Sequence, residues 1–432
     1  MNKRIRIVAA VSAVAVAALG FGSVAAAEAS TPTVTIFGAF SGDQARGFQG
    51  ELNSWGLSNG VKVTYTGLAN FNTDITVKVN GGQAPDIALW PQPGGLTGIS
   101  SKLKPLASIP GFNLSAVQKT LIPGWDKLAV KNGKIYGLPI GANVKSLVWF
   151  NPAAFRKNGY KVPTTDAQLT TLVAKIKHDG TGYPYCAGIE SGGATGWYAT
   201  DWLEEYVLKY GGVANYNKWW QGQIHFNSPL VRKAANKVGS ALLTPGNVQG
   251  GGTGIASRNF GEATTSGLFV SGKNNGQCFM LKQGSFITDF FPSAIKAEYK
   301  AGNYSHVGFF PVPTPAGGVN GVLGGGDIAG VFHSTPAVAK VLNFILSDKL
   351  GRAGWANSGF FLSAHKTFPN SLYPTSIQRA IGKTLASASA FGFDGSDAEP
   401  AVVNSTEWNQ LTSWFNGSKT LTQALTAIDA AY

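Results

Sequence analysis

The residues in this chain best suited to chemistry are aromatic rings set beside planar polar groups. Trp90 stands two residues before Gln92, Trp197 two residues after Thr195, and Trp202 directly after Asp201, in a chain holding 11 Trp among 432 residues. A sugar ring presents C–H faces that pack on aromatic platforms, and hydroxyl edges that need groups able to donate and accept. Trp90 ends an apolar run at a Pro-rich loop and Trp197 lies in a Gly-rich one, so both are candidate platforms. The alternative for each is core packing, since Trp is usually buried. Trp202 shares helical spacing with Tyr206 and Lys209 and reads as core.

Polar candidates fall where predicted elements end, the usual place for sites in open α/β sheets. Asp43 and Gln44 open a helix after the first strand, where backbone donors are free. Asn143 and Lys145 follow an apolar stretch, Glu190 and Ser191 precede Gly192, and Gly326 and Asp327 lie in a glycine loop that lets backbone approach a ligand closely. Charged groups bond hydroxyls strongly without matching a ligand charge. Asp43 has the alternative of an ordinary helix N-terminal acid, and Lys145 that of a solvated charge.

Catalytic readings find little support. Glycoside hydrolysis needs two carboxylates at a fixed separation; Glu190, Asp201 and Asp327 are available, but their spacing in sequence fixes no distance. No Gly-x-Ser-x-Gly turn occurs. The five His are isolated, without metal-ligand spacing, so no metal or other cofactor is expected. The stretch Gly246–Gly254 reads as a flexible loop and lacks the Lys-Ser/Thr pair of a phosphate cradle. The formal charge of +13 is spread over a chain only 13% charged, with Lys102/Lys104 and Lys131/Lys134 the closest groupings. A nucleic-acid binder clusters its cations, so none is expected as a partner.

These residues need a scaffold, and the sequence supplies one of alternating strands and helices. Thr33–Phe37, Val61–Tyr65 and Asp86–Trp90 read as strands, with helices from Gly42 to Trp55 and from Phe71 to Asn80 between them. That pattern predicts an α/β lobe with a mostly parallel sheet. Ile135–Phe150 reads as a first crossing to a second lobe, and Val307–Leu346 as a second strand-loop-helix set returning to the first. Residues 1–29 carry Lys3, Arg4 and Arg6, an uncharged Ala/Val stretch and the run Ala25–Ala27, the layout of a secretory signal peptide cut after Ala27 or Ala29, with a retained membrane anchor as the alternative because the stretch is near the length of a span. No cysteine lies near that cut, so an exported chain without a lipid-anchoring Cys is expected. The two cysteines, Cys186 and Cys278, either pair or remain separate buried thiols.

Several stretches, in order, resemble the extracellular solute-binding proteins that serve carbohydrate ABC transporters, closest to their α-glucoside-binding branch, with maltose-binding protein more distant. They are Ala84-Pro-Asp-Ile-Ala-Leu-Trp-Pro-Gln-Pro-Gly94, Gly133-Lys-Ile-Tyr-Gly-Leu-Pro139, Asn143-Val-Lys-Ser-Leu-Val-Trp-Phe-Asn151, Cys186-Ala-Gly-Ile-Glu-Ser191, Ala194-Thr-Gly-Trp197, Gln283-Gly-Ser-Phe286, Gly324-Gly-Gly-Asp327 and Phe393-Asp-Gly-Ser-Asp397. The resemblance implies a two-lobed periplasmic-binding-protein-like α/β fold of type II, with a cleft and a hinge between the lobes. It implies a first lobe of residues 30–140 and 306–347, and a second of 141–305 and 348–432. It further implies a Cys186–Cys278 disulfide, Phe286 as a ring-stacking aromatic (or else plain core), and a non-enzymatic, monomeric subunit. Such a subunit captures a small neutral oligosaccharide by lobe closure and hands it to ABC transporter permease subunits, in the periplasm or at the cell surface. The alternatives are the same fold carrying another solute, or a secreted carbohydrate-active enzyme.

Overall fold

The computed structural model describes residues 31–262, 267–358, 361–388 and 390–432; the expected signal peptide lies outside the described residues. Strand β1 (Thr33–Gly38) pairs in parallel with β2 (Lys62–Gly67) and β3 (Ile87–Trp90). Its alternation puts Val34 and Ile36 into the core, as the period of a strand dictates. The helix Gly42–Asn59 lies between β1 and β2 and ends at Gly60, whose φ of 63° lets the chain turn back toward β2. The helix Phe71–Asn80 occupies the residues expected of it.

The first sheet has six strands in the order β2-β1-β3-β12-β5-β4, with β4 (Ala129–Lys131), β5 (Lys134–Pro139) and β12 (Ile328–Val331). It is mixed and not mostly parallel, because β12 enters antiparallel to both β3 and β5, and β4 folds back on β5. A second sheet, in the order β10-β7-β9-β8, holds β7 (Leu147–Phe150), β8 (Tyr183–Tyr185), β9 (Cys278–Lys282) and β10 (Gly308–Pro311). Each sheet anchors one lobe. The second lobe's core gathers Phe155, Leu172, Trp202, Val238, Leu411 and Leu425 from the helices around this sheet.

A small third sheet, β13-β11-β6, is built from one strand of each passage between lobes: β6 (Asn143–Val144), β11 (Val322–Gly325) and β13 (Phe391–Phe393). Strand β6 sits between β5 of the first sheet and β7 of the second. Strand β11 follows β10 of the second sheet and precedes β12 of the first. The hydrogen bonding departs from the division expected at residues 306 and 348. Gly308–Pro311 pairs with β7 in the second lobe. Gly351, Ala353 and Trp355 donate backbone N–H groups to the buried carboxylate of Glu51 in the first. A strand follows its hydrogen-bonding partner, not its neighbours in sequence.

The supposed loop Gly246–Gly254 is in part helical, spanning Gly251–Ser257. Its glycines allow that helix to press on the end of the helix Ala401–Phe415, where a Cβ on Gly252 would stand 1.9 Å from the Phe415 carbonyl oxygen.

Cys186 and Cys278 are bonded, with an S–S distance of 2.08 Å. The link ties the residue just after β8 to the start of β9 and closes a loop over a sequence separation of 92. Because a cross-link removes entropy from the unfolded chain, reducing it, or replacing both residues in C186S/C278S, should lower unfolding free energy by roughly 2–4 kcal/mol in urea titrations.

Candidate functional site

Lys145 stands just beyond β6, where the first passage enters the second lobe, and its side chain is buried. Its Nζ bonds Asp201 Oδ1 at 2.8 Å and Asp394 Oδ2 at close range. Asp201 lies on the long helix Trp197–Trp220, and Asp394 directly follows β13. One ammonium therefore joins the first passage, the third passage and the principal helix of the second lobe. Burial works against all three charges. Lys145 overcomes that for Asp394, whose carboxyl is held below its ordinary range. It only partly offsets burial for Asp201, which is pushed up to about 6. The two carboxylates in turn keep Lys145 protonated against burial. Asp394 also accepts hydrogen bonds from Ser396 Oγ and the Asp397 N–H, both at 3.0 Å. Asp201 Oδ2 is buried with no partner among the described residues.

Above this ion group lies an aromatic cluster. Lys145 Nζ is 5.4 Å from the centre of the Trp197 ring. That ring meets Phe260 at 5.1 Å and Phe286 at 5.8 Å. Trp197, Phe260 and Phe286 are all half-buried, so each keeps an accessible part. Asn143 pairs with Gly325 across the hinge sheet and accepts a 3.4 Å bond from Ser285 Oγ. Asp327 is half-buried, and burial raises its carboxyl to about 7 although Lys145 pulls the other way.

The first lobe contributes the opposite wall. Gln92 Nε2 donates to Asp397 Oδ1 at 3.1 Å across the interlobe surface, leaving Gln92 Oε1 buried without a partner among the described residues. Asn70, before the helix Phe71–Asn80, approaches Gly192 of the second lobe. Gly94 packs so tightly on the segment after Asp397 that a Cβ there would lie 1.6 Å from the Glu399 carbonyl oxygen.

Asn143, Lys145, Trp197 and Phe286 therefore gather at the hinge, with Lys145 buried beneath the rings and Asp327 near enough to feel its charge. Glu190 and Ser191 join this group through Phe260, whose N–H donates to the Glu190 carbonyl. The Glu190 carboxylate is held below its ordinary value by the Gly192 N–H at 2.7 Å and Asn259 Nδ2 at 2.8 Å. Asp43 and Gln44 reach the same rim through Asp289, which accepts from the Gln44 N–H at 3.4 Å. Asp43 itself is engaged by Arg46, Lys296 and Lys300, an ion-pair cluster and not a bare helix-end acid.

Three expectations change. Trp90 is 2% exposed and packs edge-on against Phe71 at 5.7 Å, in the first lobe's core and not at the surface. Lys145 is neither a solvated charge nor an open ligand contact, because two carboxylates claim it. Gly326 is buried where a Cβ would meet the Gly141 carbonyl oxygen at 2.3 Å, so its small size serves the close passage of two chain segments. Sequence reasoning left out Asp394, Gln92 and Phe260 as site residues. The Asp-Gly-Ser-Asp run after β13 was the available signal for the first.

The match to known families decides what class of protein this is: the bacterial extracellular solute-binding protein family matches residues 56–351. The chain belongs to that family. This solute-binding protein is 33% identical to the osmoprotective compounds-binding protein GgtB of Synechocystis over 404 residues, 92% of each chain. It is 32% identical to the alpha-glucosides-binding periplasmic protein AglE of Rhizobium meliloti over 397 residues, 89% of this chain and 84% of the relative. Among solved structures, maltose-bound MalE3 of T. maritima aligns with a TM-score of 0.68 at 17% identity, covering 92% of this chain and 98% of the other, and shows the shared fold.

Within the solute-binding protein, Lys145 is the stabilising centre of the hinge. Lys145→Met should cost about 3–5 kcal/mol in urea unfolding, because it leaves Asp201 and Asp394 buried and uncompensated. A loss within that of an ordinary surface substitution would show that the hinge does not depend on this ammonium.

Proposed function

We propose that this protein is the capture subunit of an ABC-type importer and that it binds a small neutral oligosaccharide, an α-glucoside, between its lobes. The observation that carries the reading is the cluster of half-buried Trp197, Phe260 and Phe286 beside Lys145, with the planar amide of Asn143 on the adjoining hinge sheet. Rings and mixed donors and acceptors together complement the C–H faces and hydroxyl edges of a sugar. The Lys145 ammonium beside the rings is already paired with Asp201 and Asp394, which fits an uncharged ligand better than an anionic one. The alpha-glucosides named for the Rhizobium meliloti relative support the same reading. Family membership supports an exported protein, and among the described residues no helix is long and apolar enough to cross a membrane.

In this reading the three-stranded sheet is the hinge. A ligand that touches both walls favours the closed form by the contacts it makes only there. The closed shape is what the permease subunits recognise, and opening releases the sugar. The chain acts as a monomer.

Isothermal titration of the purified mature chain with maltose, trehalose, sucrose, a xylo-oligosaccharide and a polyamine, followed by product analysis, tests this directly. Saturable binding of an α-glucoside without product is expected, and Trp197→Ala should weaken it roughly tenfold or more while circular dichroism stays unchanged. Heat only with the polyamine, or hydrolysis products, would replace this reading with another solute or an enzyme.

A further inference from the structure

Away from the interlobe surface, a cavity of about 80 Å³ opens in the first lobe between Ile122, the segment Ser363–Asn370 and the helix Ser376–Ser387. Phe368 and Leu385 give it apolar walls, while Ser363, His365, Asn370 and Tyr373 give it polar ones. His365 is 4% exposed. Its Nδ1 lies 2.8 Å from Thr120 Oγ1. The Thr120 hydroxyl spends its own proton on the Val117 carbonyl at 3.1 Å, so the proton between the two side chains belongs to the ring. His365 is thus the Nδ1–H tautomer, and Nε2 is a bare acceptor. Burial holds the ring neutral by lowering its pKa to about 4. Nε2 is buried and has no partner among the described residues, and the same is true of Asn370 Oδ1.

Two donors complete the set. Ser363 Oγ accepts the His365 N–H at 3.2 Å, and the Tyr373 hydroxyl accepts the Ser363 N–H at 2.9 Å. Among the described residues neither hydroxyl proton has an acceptor, so both are available to the cavity. Two bare acceptors and two available hydroxyl protons beside apolar walls complement groups that each donate and accept, on a carbon backbone. Lys366 also lines the cavity, and its charge disfavours an ammonium there. One water needs roughly 10–15 Å³ on this scale, so the cavity takes about six non-hydrogen atoms.

We propose that this cavity is a second ligand site, separate from the interlobe surface, for a small polyol of three or four carbons that donates hydroxyl protons to His365 Nε2 and Asn370 Oδ1. It bears on neither the identity of the cleft ligand nor the hinge. The test is saturation-transfer NMR titration of the purified mature chain with glycerol and with erythritol. Saturable binding is expected in the unaltered chain and equally in Trp197→Ala, and roughly tenfold weaker binding in both His365→Leu and Asn370→Leu. Asn370 is only half-buried, so its variant keeps the test open if His365→Leu fails to fold. No saturable binding, binding that Trp197→Ala removes, or binding that Asn370→Leu leaves unchanged would overturn the proposal, the first by showing a cavity that holds water only.

Discussion

The buried ammonium of Lys145, held between Asp201 and Asp394, is the interaction on which the rest of this structure depends. Taking three charges out of water is costly unless they neutralise one another with good geometry. Here that requirement fixes where three separated stretches must meet. β6 cannot slide without moving Lys145, β13 cannot shift without moving Asp394, and the helix Trp197–Trp220 is pinned by Asp201. The aromatic cluster inherits its position from the same point, since Trp197 opens that helix and its ring stacks beside the ammonium.

Contact between lobes is handled by different means. Gln92 and Asp397 form a polar link across the interlobe surface, and Gly94 brings two backbones together where any side chain would intrude. Asp43, Lys296 and Asp289 form a charged group at the rim. Near the hinge the apolar core is continuous, running from Val34 and Ile36 of the first sheet to Trp149 and Leu281 of the second. The hinge sheet, with one strand from each passage, lets the lobes rotate about one short region without either sheet being broken.

Much of the scaffold could be read directly from the chain. Periodicity placed β1 and the helix Phe71–Asn80, and glycines and prolines marked where they stop. The candidate site was much less legible, because its contacts join distant stretches: the Trp197 ring meets Lys145, Phe260 and Phe286, none of them near it in sequence. Lys145 was misjudged because its partners are 56 and 249 residues away, and nothing local separates a solvated lysine from a buried one. Trp90 was misjudged because a strand end beside a Pro-rich loop looks open in sequence, while Phe71 and Phe332 cover it in space. The membership of β10 in the second lobe likewise follows from its pairing with β7, a choice made by a strand far away in the chain.

The central claim is that a ligand draws two lobes together about the hinge that Lys145 braces. Small-angle X-ray scattering of the mature chain, alone and with the tightest-binding sugar at saturation, measures this most directly. A smaller radius of gyration with sugar, at unchanged mass, is the result this account predicts. An identical scattering profile at saturating sugar would contradict it, because the ligand would then bind without closing the lobes.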